Sequence, residues 1–90
     1  MSDEQIKEAL RSALLRVLPT GGVLPELTPD LRLVGKVPGL DSLAALEVIL
    51  DLEEELGTEL ADDVFVAEQN GRARARTYAE VVSALAGMAA

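Results

Sequence analysis

The chain has 90 residues, 16 acidic and 8 basic, a net charge of −8, and no His or Cys. That charge repels nucleic acid and anionic membrane surfaces. The missing residues exclude a disulfide framework, a thiolate metal site and a Ser-His or Cys-His catalytic pair.

Residues 1–90 make one small domain, 49% apolar but with a single Phe and a single Tyr, so Leu, Val, Ile and Ala must build its core. The opening Met-Ser-Asp-Glu-Gln is polar and acidic, unlike a signal or transit peptide, and no apolar run reaches the length of a membrane span. The expectation is a soluble cytoplasmic monomer. The first helix is expected to start at Ser2, where Ser2 and Gln5 have capping-box spacing and Asp3 and Glu4 suit the positive helix end. Ile6, Leu10, Leu14 and Val17 recur at helical spacing, and Pro19, Gly21 and Gly22 end the segment.

A long connection, residues 19–41, holds all four prolines. Such a loop needs anchors, and Leu24, Leu27, Leu31, Leu33 and Val34 are available. Thr28-Pro29-Asp30 reads as a turn, with a short helical piece at Pro29–Leu33. The second long helix is expected over Ser42–Leu56, capped by Asp41 or Ser42 and stopped by Gly57. Ala45, Val48, Ile49, Leu52 and Leu56 share its core face. Leu43, Leu46 and Leu50 form a second stripe, flanked by Glu47, Glu53 and Glu54. That stripe has two readings: further core beneath the long loop, or a docking surface.

A short third helix is expected over Ala61–Val66, with Val64 and Phe65 inward, then a turn at Gln69-Asn70-Gly71. Arg72-Ala73-Arg74-Ala75-Arg76 alternates at period two, but without an evident partner strand it is read as a loop. The last helix starts near Thr77, where Thr77 and Glu80 repeat the capping-box spacing; Gly87 and the alanines after it are expected to fray. The sum is an all-α four-helix bundle with one long loop and one short helix.

Ser42 opens an acidic helix straight after a Pro38-Gly39 bend. A serine there is either a simple cap or a hydroxyl presented to another enzyme, since the positive helix end accommodates a phosphate ester. Gly39-Leu40-Asp41-Ser42-Leu43, the run Leu46 to Leu60, the order of elements and the negative charge together resemble the acyl carrier protein family. The resemblance implies a four-helix carrier, inert as a catalyst. A phosphopantetheinyl transferase would attach the 4′-phosphopantetheine arm of coenzyme A to Ser42. Asp41 would help orient the transferase's Mg²⁺ during loading and has no other metal role. Glu47, Asp51, Glu54 and Glu55 would meet basic partner enzymes that load, extend or transfer the cargo, while Leu43, Leu46 and Leu50 enter apolar pockets. The cargo would be an acyl thioester in fatty-acid, lipid or polyketide-type metabolism. The alternatives are an aminoacyl or peptidyl carrier, or an unmodified acidic helical adaptor.

Departures from the family pattern are Ala44 after Asp-Ser-Leu, the basic segment Glu68–Arg76, and Phe65 where it would border an acyl cavity. They point to a specialised carrier. Arg72, Arg74 and Arg76 either offset nearby acids or are read by a partner. Asp62-Asp63 reads as a helix-start pair, and no EF-hand spacing is present.

From Val37 to Gly71 the chain carries ten acids and no Lys or Arg. Their mutual repulsion is screened by salt. The melting temperature is therefore expected to rise with added NaCl or MgCl₂, as followed by circular dichroism; a flat response refutes it.

Overall fold

The computed structural model describes residues 2–19 and 23–88. Three long helices, α1 (Asp3–Val17), α3 (Ser42–Leu56) and α4 (Tyr78–Met88), enclose a core that is aliphatic except for Phe65 and Tyr78. A short bent segment, α2 (Leu33–Lys36), with non-helical backbone at Val34 and Gly35, lies between the first two. A two-stranded antiparallel hairpin, β1 (Val66–Gln69) and β2 (Arg72–Ala75), precedes the last.

Local chemistry sets most boundaries. Ser2 caps α1 through the full capping box, its hydroxyl accepting from the Gln5 N–H while the Gln5 side chain accepts from the Ser2 N–H. The expected terminators Gly21 and Gly22 lie outside the described residues; among the described ones, α1 ends where Leu18 turns extended before Pro19. Gly57 ends α3 in the left-handed conformation, φ 67°, a region open to glycine. Thr77 and Glu80 form the second capping box ahead of α4. α4 reaches Met88 and includes Gly87; the alanines that follow, where fraying is expected, lie outside the described residues.

The long connection is pinned as expected. Leu33, Val37 and Leu40 are buried, and Leu24, Leu27, Leu31 and Val34 pack partly buried against the core. Its backbone is tied to the start of α4: the Tyr78 N–H donates to the Leu31 carbonyl at 2.7 Å and the Ala79 N–H to the Pro29 carbonyl at 3.0 Å. Thr28–Leu31 forms the anticipated turn, but the helical piece expected at Pro29–Leu33 does not form; Leu33–Lys36 after it is a tight bend with non-helical Val34 and Gly35.

The region after α3 departs from an all-α bundle. Ala61–Val66 is not helical: it is a turn whose last residue opens β1, and Arg76 ties down two of its carbonyls. The Arg76 N–H donates to the Phe65 carbonyl and its Nε to the Asp63 carbonyl, both at 2.8 Å. Val64 and Phe65 still turn fully inward, so Phe65 is core. The period-two arginine segment is a strand whose partner, Val66–Gln69, includes the end of the expected short helix. Asn70 (φ 53°) and Gly71 (φ 74°) join the strands through the two-residue turn that Asn-Gly favours. The protein is thus mostly helical with a small β-hairpin.

The hairpin is fastened to α4 by Arg74, whose Nη2 donates to Glu80 at 2.7 Å. That hydrogen bond, with one from the Thr77 backbone N–H, lowers the Glu80 carboxyl from 4.5 to about 2. A carboxyl depressed on folding stabilises the native state above its unfolded value, and that contribution disappears as pH falls from about 4.5 toward 2. Glu80→Gln should therefore unfold more easily at neutral pH, and its melting temperature should fall less over that acid range than the wild type's. Equal acid slopes refute it.

Candidate functional site

The position of Ser42 is fixed by the residues before it. Val37–Leu40 is a β-turn closed by the Leu40 N–H donating to the Val37 carbonyl at 3.0 Å. Pro38 presets φ at the second position, and Gly39 at the third has φ 83°, as this turn type requires. A Cβ on Gly39 would stand 3.3 Å from Pro19 Cδ, so the turn also packs closely on the end of α1. Leu40, 2% exposed, anchors the junction in the core.

The next residue, Asp41, is the N-cap of α3. Its Oδ1 accepts from the Ala44 N–H at 2.8 Å. Ser42 follows as the first helical residue, with its side chain exposed. A hydroxyl here stands at the positive end of a four-turn dipole beside backbone N–H groups that α3 leaves unpaired.

The two readings of the second stripe on α3 are now separable. Leu43 is 68% exposed, Leu46 46% and Leu50 65%, so neither the long loop nor any other described segment covers them. Glu47 and Glu54 are exposed on the same outer face. Asp51 and Glu55 lie on the flank toward α1 and are engaged by Arg16 from the last turn of that helix. Arg16 Nε and Nη2 donate to Asp51 Oδ2 at 2.9 and 2.6 Å, and Nη2 also donates to Glu55. Hydrogen bonding to Asp51 first, then to Glu55, raises the Arg16 pKa. Glu53 is also occupied, accepting from the Leu60 N–H at 2.8 Å.

Arg16 carries no signal in the sequence beyond being a cation at a helix C-terminus, because its partners lie 35 and 39 positions away. Of the hairpin arginines, Arg74 pairs with Glu80 and Arg76 lies 3.7 Å from Asp63, leaving Arg72 exposed near the turn. Two of the three therefore offset nearby acids.

Residues 8–73 match the family model described as the phosphopantetheine attachment site. The chain belongs to that family. Comparison with curated proteins and with solved structures gives no significant match. Membership makes the protein a phosphopantetheine-bearing carrier, and the family's cofactor is 4′-phosphopantetheine, covalently attached. Such carrier domains work with a phosphopantetheinyl transferase and with partner enzymes. Among the described residues, no helix is long and apolar enough to cross a membrane.

The residues present fit that cofactor. Of the two serines within the matched span, Ser12 is half-buried in the middle of α1, whereas Ser42 is exposed at a helix N-terminus. In this carrier Asp41 caps α3, a duty that is separable from its charge. Asp41→Ala should cost about 1 kcal/mol in urea unfolding through loss of the cap. Asp41→Asn, which keeps a capping oxygen, should cost much less. Equal losses from both would refute the capping role.

Proposed function

We propose that Ser42 carries the phosphopantetheine arm and that the protein presents an acyl group to partner enzymes in a specialised fatty-acid, lipid or polyketide-type pathway. The observation that carries the reading is the exposed hydroxyl of Ser42 on the first residue of α3, inside the matched span. The arm supplies a flexible tether ending in a thiol, on which the acyl group is held as a thioester.

The chain's own residues prepare the attachment. Ser42 Oγ gives up its proton and bonds to the pantetheine-bearing phosphorus of coenzyme A, while the P–O bond of its diphosphate breaks and adenosine 3′,5′-bisphosphate leaves. The free N–H groups of the first turn face the new negative charge. Asp41 is held by its cap to Ala44, one residue before the reacting serine. There it helps orient the Mg²⁺ brought by the transferase. Exposed Leu43, Leu46 and Leu50 give partners a small apolar target, and the surrounding acids draw in basic surfaces. Contacts of this size favour brief encounters, which suits a carrier that visits several enzymes. The basic hairpin and Ala44 support a specialised pathway.

Incubation with coenzyme A, Mg²⁺ and a promiscuous phosphopantetheinyl transferase, followed by intact-mass measurement, tests the reading. A single added arm is expected on the wild type and none on Ser42→Ala. No added mass with several transferases would favour the unmodified adaptor, and an arm that persists in Ser42→Ala would move the attachment elsewhere.

A further inference from the structure

The acids of α3 are not equivalent. At about 100° per residue, Leu43, Glu47, Leu50 and Glu54 point away from the core, with Leu46 beside them. Asp51 and Glu55 occupy the flank facing α1, and Glu53 the opposite flank. The polar contacts follow this division: Arg16 pairs with Asp51 and Glu55, and Glu53 accepts from the Leu60 N–H. Arg16, Asp51, Glu54 and Glu55 line one groove of about 430 Å³ along the α1–α3 flank. A partner cation entering there meets a guanidinium already bound to two of the carboxylates.

We propose that Arg16 acts as an internal competitor for partner cations, so that partners dock on Glu47 and Glu54 and not on Asp51 and Glu55. The proposal rests on the carrier reading above and narrows it to a defined surface. Glu47 and Glu54 are seven residues apart, which is two turns or about 10 Å along α3. The occupant is a basic helix of a partner enzyme. Its cations, spaced i and i+7, meet the two glutamates, and an apolar groove beside them receives Leu43, Leu46 and Leu50. Charge complementarity selects this occupant. A second copy would set Glu47 and Glu54 against like charge in a chain of net charge −8.

Arg16 thereby sets selectivity. Partners with two correctly spaced cations dock, and partners that need the Asp51 flank must first displace a guanidinium that already holds Asp51 and Glu55.

The test is the rate of arm transfer by the transferase, acting as the basic partner, at low and high salt. Glu47→Gln and Glu54→Gln should each lower kcat/KM about fivefold, mainly through KM. Asp51→Asn and Glu55→Gln should cost about twofold or less in the wild type, but about fivefold in an Arg16→Gln background, where their partner is gone. Arg16→Gln alone should raise kcat/KM and steepen its salt dependence, a response that loss of packing would not give. Glu47 and Glu54 are exposed, so their variants remain informative even if Arg16→Gln weakens the fold. Equal losses from all four acids in the wild-type background, or no rise with Arg16→Gln, overturn the proposal while leaving the carrier reading intact. Concentration-dependent dimerisation abolished by Leu50→Ser would give the face to a second copy and also overturn it. A wild-type chain that accepts no arm overturns both.

Discussion

The burial of Leu40 is the constraint on which the rest of the site depends. It fixes the chain at the point where a loop of more than a dozen residues must hand over to α3. The Pro38-Gly39 turn, pressed on Pro19, sets the direction of that handover, and the Asp41 cap begins the helix immediately afterwards. Without a buried residue at 40, the start of α3 would inherit the freedom of the loop. With it, an exposed serine is held by a rigid frame only two residues from the core, accessible to another protein yet fixed in direction.

α3 divides its surface by function. One face is core, packed against α1 through Ala45, Val48, Ile49 and Leu52. The outer face leaves three leucines in solvent among acids, which costs hydration and brings no folding benefit. Between the two, Arg16 neutralises a pair of carboxylates that would otherwise repel each other across one turn. The ion network stitches α1 to α3 and at the same time shapes the charge that an approaching surface meets.

The hairpin has a comparable double role. Arg74 and Arg76 fasten it to α4 and to the turn after α3, so a segment that looks like a free basic patch is largely internal wiring. Its Asn70-Gly71 turn and short strands fill the stretch where a third helix was expected, and Val64 and Phe65 still deliver their side chains to the core. Burial of those two residues is compatible with either backbone, which is why the core was foreseeable and the local conformation was not.

Neighbours along the chain govern the features that could be read in advance. Both capping boxes, the Asp41 and Gly57 boundaries, the Thr28–Leu31 turn, the core face of α3 and the exposed stripe as one of two readings all follow from spacings of a few residues. The tertiary structure alone decided the features that join distant positions. The strand pairing of Arg72–Ala75 needs a partner that the pattern did not reveal, because Val66–Gln69 has equal claim to the end of a short helix. The exposure of Leu43, Leu46 and Leu50 depends on where the long loop runs. The pairing of Arg16 with Asp51 and Glu55 spans more than thirty residues. Periodicity records which side of an element is apolar, but it carries no information about which distant charge or backbone will meet that side once the chain has closed on itself.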